Sequence, residues 1–312
     1  MSAFQFSDDN KRYHTLYYHN LHTYGRRVVK AVIDASFTCP NIDGTRGHGG
    51  CIFCDGGSGY FTAEPTVPIA EQIERERERI HQKYPDALIN AYFQAHTNTY
   101  ADIETLRKRY KEAIDAGVHS ISIATRGDCI DHEKAELISS LGIPATVELG
   151  LQTVHDRTAY MLNSRQSYTA FLSAMFLLKK YRIRTCVHII DGLPGENRDM
   201  MLVTAKALGQ QRPDGVKIHL LHVISGTFLH GMYEKGEYSP LTKEEYIGTV
   251  VRQLEYLPPE TVVERLTGDG DKSKLIAPDW SRDKISVLGG IDKLMNELDI
   301  VQGDKFDTPP FR

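Results

Sequence analysis

The sequence predicts an α/β fold in which helices cover a parallel sheet. Short β-rich runs alternate with amphipathic helical segments along most of the 312 residues, and repeated strand–helix units are typical of parallel sheets. Hydrophobic residues make up 41% of the chain, which is enough for a packed core. Six such units are compatible with a partial (β/α)6 barrel, and a doubly wound open sheet is the alternative.

Six runs rich in β-branched residues predict the strands of this sheet. They are residues 28–36, 88–96, 119–125, 145–152, 184–191 and 215–223.

Three segments between these runs predict helices. Residues 69–84 place Ile69, Ile73 and Ile80 on one stripe, with charged residues elsewhere. Residues 103–117 end on a glycine, which is a common helix stop. Residues 167–181 are more apolar, which predicts a more deeply buried helix.

The phase of the strands predicts a sheet with one apolar and one polar face. Side chains alternate between faces with a period of two. In the second run Ala91 and Phe93 share one face, while Tyr92 and Gln94 share the other. The third, fourth and sixth runs divide in the same way. Because closed barrels usually fill their interior with branched apolar side chains, a polar interior predicts a bound polar ligand. A solvent-exposed sheet face is the alternative.

The composition allows a prediction of the cellular compartment. No run approaches eighteen apolar residues, and the first residues lack the pattern of a secretory signal. We therefore expect no membrane span and a cytoplasmic protein, in which thiols stay reduced. The oligomeric state is not readable from the chain.

Charge is unevenly distributed. The net charge of −4 is not typical of a nucleic-acid binder. Residues 11–30, however, carry five Lys or Arg, three His and four Tyr, without Asp or Glu. Such a segment either contacts a phosphate backbone and stacks on bases or packs on the domain as an arm.

We divide the chain into an N-terminal segment (1–27), the partial barrel (28–240) and a C-terminal extension (241–312).

Three of the five cysteines lie in one glycine-rich loop, CPNIDGTRGHGGCIFCDGGSGYF, residues 39–61. Eleven residues separate Cys39 from Cys51, and two separate Cys51 from Cys54. The loop follows the first predicted strand, where (β/α) enzymes place their chemistry. Three thiolates suit a [4Fe–4S] cluster with one open iron, or a zinc site with His48 as fourth ligand. A redox Cys-x-x-Cys pair would not need Cys39.

This loop resembles the cluster loop of radical S-adenosylmethionine (SAM) enzymes. More narrowly, it resembles the bacterial YhcC/YtqA-like family, which is related to the radical SAM domain of the Elongator catalytic subunit. The usual superfamily spacing is Cys-x3-Cys-x2-Cys, and the narrower family is known for a longer first gap. Further segments resemble that family's blocks in its order: FQAHTNTY (93–100), SIATRGDC (122–129), ELGLQT (148–153), DGLPGE (191–196), KIHLLHV (217–223) and RLTGD (265–269).

The resemblance implies a partial (β/α)6 TIM-like barrel with a small C-terminal extension. It also implies a [4Fe–4S] cluster on Cys39, Cys51 and Cys54, with SAM on the open iron. Reductive cleavage of SAM would then yield a 5′-deoxyadenosyl radical. The implied cofactor-binding residues are Gln94, His96, Asn98, Arg126, Asp128, Gln152, Arg165, His188 and Asp191. The chain departs from the superfamily at the second strand, which lacks a Gly-Gly-Glu motif.

The resemblance also implies partners. An external electron donor such as flavodoxin or ferredoxin is expected, together with a transfer RNA (tRNA) substrate modified at the side chain of its wobble uridine. A small molecule or peptide is the alternative substrate for the same chemistry. A zinc-stabilised RNA-binding protein without catalysis is the alternative of a different class.

Overall fold

The computed structural model describes residues 4–55, 66–94, 96–268 and 272–307. Gly56, Gly57 and Gly59 of the cysteine loop and residues 269–271 lie outside the described residues. The strands are β1 Val28–Ile33, β2 Leu88–Phe93, β3 Ser120–Arg126, β4 Ala145–Gln152, β5 Arg184–Asp191, β6 Gly215–Leu220, β7 Val223–Ile224, β8 Val262–Arg265 and β9 Leu275–Ala277. The helices are α1 Leu16–Tyr24, α2 Ile69–Lys83, α3 Ile103–Asp115, α4 His132–Ser139, α5 Asp156–Met161, α6 Tyr168–Lys180, α7 Arg198–Gln210, α8 Phe228–Glu234, α9 Lys243–Leu254 and α10 Lys284–Glu297.

All six predicted strands form, and they join one sheet. Its order is β1-β2-β3-β4-β5-β6-β8. The pairs β1–β2, β2–β3, β3–β4 and β6–β8 are parallel. The α/β class is therefore confirmed. The seventh strand, β8, was not predicted, because its four residues, VVER, are too few for a periodic signal. A separate antiparallel pair joins β7 to β9.

The chain forms two compact units. The cysteine unit comprises residues 20–151 and 163–186, and the C-terminal unit comprises residues 1–19, 152–162 and 187–312. The earlier division into 1–27, 28–240 and 241–312 stays a prediction.

Local sequence determines where most helices begin. A short polar side chain stands immediately before the first turn and accepts a hydrogen bond from a backbone N–H that the helix leaves unpaired. Thr242 and Glu245 bond reciprocally at the start of α9, which makes a capping box. The other caps of this kind are Asp102 for α3, Asp131 for α4, Ser167 for α6, Asn197 for α7, Thr227 for α8 and Asp283 for α10.

The predicted alternation of the strands is confirmed on the apolar side. Ala91, Phe93, Ile121 and Ile123 are fully buried. The stripe of α2 is buried as well. The polar side is also largely buried, including Asn90, Ser120, Ser122, Glu148 and Lys217. A solvent-exposed polar face is therefore excluded for these residues.

The basic N-terminal segment is largely used within the fold. Arg12 donates to Asn296 and Asp299, and Lys11 pairs with Asp292. The buried His14 contacts the carbonyl oxygen of Glu260 at 3.0 Å. These contacts favour the packing interpretation for the first half of the segment. Within the described ranges, no helix is both long and apolar enough to cross a membrane.

Candidate functional site

The three clustered cysteines lie in the connection between β1 and α2. Cys39 follows the carboxyl end of β1, and all three thiols are half-buried. The amide of Cys54 donates to the carbonyl of Cys51 at 2.9 Å, which curls the Cys-x-x-Cys segment into a turn. The loop therefore presents its thiols where parallel (β/α) folds place their chemistry.

The long gap between Cys39 and Cys51 is folded into a hairpin. Asp43 and His48 form an antiparallel bridge, and the amide of Gly44 donates to the carbonyl of Gly47 at 3.1 Å. The chain leaves at Asn41 and returns at Gly50, whose amide donates to the Asn41 carbonyl at 2.9 Å. If the hairpin that this hydrogen bond closes is set aside, only Pro40, Asn41 and Gly50 lie between Cys39 and Cys51. The long gap is thus a short ligand loop that carries a hairpin, residues 42–49.

Burial and the neighbouring charged groups both change the pKa of Cys51. Burial raises the pKa of the Cys51 thiol to about 12, and repulsion from Cys54 and Cys39 acts in the same direction. Arg126 and a hydrogen bond from Asn41 oppose this rise. The metal-free protein therefore holds a protonated Cys51, and a bound metal would displace that proton.

An arginine–aspartate pair lies beside the thiols. Arg126, the last residue of β3, donates through two nitrogens to the two carboxylate oxygens of Asp128, at 2.9 and 2.8 Å. Arg46 of the hairpin also pairs with Asp128, at 3.3 Å. Burial alone would lower the pKa of Arg126, but its bonds to Asp128 outweigh burial and raise the pKa. Arg126 therefore remains a cation close to Cys39 and Cys51.

The segment after β2 carries three of the predicted residues. Gln94 follows the strand directly, and its backbone N–H donates to the backbone carbonyl of Ile33 on β1 at 3.3 Å. His96 has a positive φ of 61°. Asn98 is fully buried, and its Nδ2 donates to the carbonyl of Ala124 at 3.0 Å. Its Oδ1 lacks a hydrogen-bond partner among the described residues.

Arg165 lies in a strained turn of the same unit. It has a φ of 59°, and Asn163 has a φ of 55°, a region that non-glycine residues visit rarely. Arg165 is exposed, and its Nε donates to Oδ1 of Asn163 at 2.9 Å. The next residue, Gln166, joins the ends of β3 and β4 by bonding the amide of Gly127 and the carbonyl of Gly150. Positive φ values cluster at functional sites because the surrounding contacts hold the strain.

The remaining predicted residues belong to the C-terminal unit. Gln152 ends β4 with a φ of 63°. His188 is half-buried on β5, and its ring centroid lies 5.3 Å from that of His219. Asp191 shares the buried face of Val187 and Ile189, and its Oδ1 accepts from Gln253 of α9 at 2.7 Å. The Asp191 carboxylate thus points toward the helix layer, on the strand face opposite to His188.

An ion pair lies on the polar face of the sheet in the cysteine unit. Lys30 of β1 pairs with Glu148 of β4, whose side chain is fully buried. The ammonium of Lys30 also lies 4.7 Å from the ring centroid of Tyr92 on β2. Glu148 lies on the polar face predicted for the fourth run, residues 145–152, but its partner was not predicted.

The donor set fits an iron–sulfur cluster better than it fits its zinc alternative. Three soft thiols, an amide N–H directed at one of them and a nearby guanidinium suit an anionic cluster of thiolate-bound iron. The fourth zinc ligand would be His48, whose ring packs over Gly44 of the hairpin. Among residues 4–55, 66–94, 96–268 and 272–307, no three His, Cys, Asp or Glu side chains are placed to hold one metal ion.

Sequence reasoning missed two residues of this site, Asn41 and Asn163. Asn41 contacts Cys51, and Asn163 contacts the hairpin. Asn41 is close in sequence to the predicted cluster ligand Cys39, and Asn163 is close to Arg165, a predicted SAM contact. Both lie in segments without regular secondary structure. That proximity is the only signal in the sequence that could have pointed to them.

Three curated proteins are similar to the chain. It is 43% identical over 309 residues to YtqA of Bacillus subtilis, covering 98% of this chain and 96% of that protein. It is 31% identical over 290 residues to YhcC of Escherichia coli, covering 92% and 93%. It is 24% identical over 284 residues to a tRNA uridine(34) acetyltransferase of Methanocaldococcus jannaschii, covering 78% of this chain and 51% of that protein.

A solved structure supports the fold. Elp3 of Methanocaldococcus infernus superimposes with a TM-score of 0.68 at 19% identity, covering 89% of this chain and 64% of that one. This likeness establishes the TIM-like partial barrel. The sequence model of the radical SAM superfamily matches residues 42–208, and that of the radical SAM C-terminal domain matches residues 213–297. The chain therefore belongs to the radical SAM superfamily, within the group of YtqA- and YhcC-like proteins related to Elp3.

Proposed function

We propose that Cys39, Cys51 and Cys54 hold a [4Fe–4S] cluster at which SAM is cleaved, and that the substrate is the wobble uridine of a tRNA. The superfamily uses this cluster and SAM. The observation that carries the proposal is the ligand loop itself. It carries all three cysteines in one connection after the first strand, and the Arg126 cation is close to Cys39 and Cys51.

A reduced cluster held by Cys39, Cys51 and Cys54 would supply the electron for reductive cleavage of SAM to methionine and a 5′-deoxyadenosyl radical. The residues of the chain hold and orient the reacting groups. The three thiolates bind iron, and Arg126 offsets part of their negative charge. Arg165 offers a planar guanidinium, oriented through Asn163, that suits the methionine carboxylate of SAM.

The tRNA assignment is supported by a relative and by a surface. The Methanocaldococcus jannaschii protein that matches 78% of this chain is named a tRNA uridine(34) acetyltransferase. We extend only the substrate class to this chain, which spans 51% of that protein.

The surface is a groove at the amino ends of β1 and β2, with a volume of about 520 Å³. Arg26, Arg27 and Lys83 line it. The cationic groups of Arg27 and Lys83 lie 4.8 and 5.2 Å from the ring centroid of Tyr84. We assign the RNA-contacting role of the basic segment to Arg26 and Arg27, because both line this groove.

The chemistry is tested by an anaerobic assay for 5′-deoxyadenosine after reconstitution with iron and sulfide, reduction and addition of SAM. The wild type should form the product, and Cys54→Ala should form none. Cys186→Ala is the matched control, because it removes a buried thiol of β5 outside the loop and should keep the activity. A colourless, zinc-containing wild type without product would instead support the non-catalytic RNA-binding alternative.

The substrate class is tested by filter binding of tRNA at several salt concentrations. The double variant Arg26→Glu/Arg27→Glu should bind more weakly, and its salt slope should fall by about two, since each lost phosphate contact removes about one. Arg107→Glu/Lys111→Glu on α3 makes the same charge change elsewhere and should bind normally. Salt-insensitive binding by the wild type would refute tRNA and favour a small molecule or peptide.

A further inference from the structure

Asn41 lies at the base of the hairpin and contacts a predicted cluster ligand. Its side chain is fully buried, and its Nδ2 lies 3.7 Å from Sγ of Cys51. The same nitrogen donates to the carbonyl of Asn163 at 2.5 Å. An N–H that points at a cysteine sulfur stabilises the thiolate and influences the reduction potential of a cluster bound there.

Asn163 holds the base of the hairpin from the other side. Its Nδ2 donates to the carbonyls of His48 and Gly50, at 3.1 and 2.8 Å. Its backbone carbonyl accepts from Asn41, and its Oδ1 accepts from Arg165. Asn163 has a φ of 55°, a conformation that asparagine tolerates better than most residues.

The hairpin leaves no space around Asn41. A Cβ on Gly47 would lie 2.4 Å from Oδ1 of Asn41, so a larger residue there would displace the Asn41 side chain. The tip of the hairpin contacts other parts of the unit. Thr45 shares a hydrogen bond of 2.7 Å with Tyr100, and Arg46 pairs with Asp128. Neither of these side-chain contacts involves a cysteine, and at the backbone the N–H of Asp43 donates to the carbonyl of Cys39 at 3.1 Å.

We propose that Asn41 is a positioning residue for Cys51, and that the ligand loop closes at the Asn41–Gly50 hydrogen bond. The hairpin tip, residues 43–48, is then not needed to hold a cluster. This inference rests on the proposed function in one respect, namely that the three cysteines bind the cluster. The long gap is in effect the shorter superfamily spacing with an inserted hairpin.

The first test removes the tip. Deleting residues 43–48 joins Ile42 to Gly49 and turns the Asn41–Gly50 hydrogen bond into that of a β-turn. Gly49 already has a φ of 77°, which suits the third residue of a type II turn, where φ is about 80°. After anaerobic reconstitution, the iron and sulfide content and the electron paramagnetic resonance spectrum should match those of the wild type. Loss of iron with an unchanged circular dichroism spectrum would overturn the proposal.

A milder variant keeps the full chain length. Thr45→Ala/Arg46→Ala removes only the tip contacts to Tyr100 and Asp128. Its iron content should equal that of the wild type, and a lower iron content would overturn the proposal even if the deletion variant failed to fold.

The second test separates positioning from general structure. Asn41→Leu keeps the side-chain shape, adds no charge and removes the N–H donors, so the midpoint potential of the cluster should become more negative. Asn163→Gly keeps the backbone conformation and removes the side-chain clamp. It should lose iron faster to a chelator, with the potential unchanged. A wild-type potential in Asn41→Leu would refute the positioning role.

Cys54→Ala, measured in the same series, keeps the two proposals apart. If it retained iron and the wild-type spectrum, the proposed function itself would fail. If it lost iron while Asn41→Leu kept the wild-type potential, only the role of Asn41 would fail.

Discussion

Asp191 offers a sharp test of how burial controls a charge in this protein. Its side chain is 1% exposed, Oδ1 accepts from Gln253, and Oδ2 lacks a partner among the described residues. Burial raises its pKa from 3.8 to about 7, while the bond from Gln253 lowers it and the charge of Glu196 raises it. The folded protein therefore holds a proton that the unfolded chain releases at lower pH.

The sign of the pH effect follows from this proton. Between the unfolded pKa and the folded pKa the native state binds the extra proton, so stability falls as pH rises through that window. The stability that the protonated Asp191 contributes is fully present below about pH 4 and lost above about pH 7. Asp191→Asn keeps the acceptor for Gln253 and removes the titration. From pH 5 to pH 8, about two pKa units at about 1.4 kcal/mol each, the variant should gain about 3 kcal/mol in free energy of unfolding relative to the wild type.

Urea unfolding of both proteins at pH 5, 6, 7 and 8 measures this difference. Other titrating groups are present in both proteins and cancel. A difference that stays constant within about 0.5 kcal/mol over this range would refute the assignment of a buried, protonated Asp191. Production of 5′-deoxyadenosine by Asp191→Asn tests the sequence prediction that Asp191 contacts the cofactor. We expect that activity to persist, since the carboxylate bonds to α9.

Two further predictions concern stability, both measured by urea unfolding. Glu148→Gln should lower the free energy of unfolding by about 2–3 kcal/mol, because it removes the buried carboxylate that pairs with Lys30, and Lys30→Met in the same chain should restore much of the loss. An equal loss in both would contradict the ion-pair interpretation. Gly209→Ala should destabilise by about 2–3 kcal/mol, since its Cβ would lie 2.1 Å from the carbonyl oxygen of Tyr256. Gly231→Ala, which meets nothing within 4 Å, should stabilise α8 by up to about 1 kcal/mol. Equal effects of the two alanines would show that the close contact at Gly209 relaxes.

The strands and caps could be predicted because their signals are local. A period of two determines which face a strand residue takes, and Asp102 or Ser167 caps the helix that follows it directly. The register of β1 with β2 then places Lys30 beside Asn90, as expected for parallel neighbours. The short strand β8 escaped prediction because four residues carry no periodic signal.

The three cysteines of the candidate site could be picked out from the sequence, but the residues that contact their loop could not. The cysteines stood out because thiols are rare and their spacing is specific. Asn41 and Asn163 did not, because an asparagine in a loop is ordinary and its role arises only when two loops meet. The family resemblance implied that Asp191 contacts the cofactor, and this role stays a prediction. The hydrogen bond of its carboxylate to Gln253 could not be predicted, because α9 follows much later in the chain.

The sequence by itself determined the alternation of strands and helices, the position of the three thiols after the first strand and the membership of the superfamily. Each of these depends on neighbouring residues or on a linear motif. Tertiary structure decided how the eleven-residue gap closes at Asn41 and Gly50, which carboxylate pairs with Lys30, and that the pKa of Asp191 rises to about 7. These outcomes depend on burial and on contacts between residues far apart in the chain, because charge pairing and desolvation act through space.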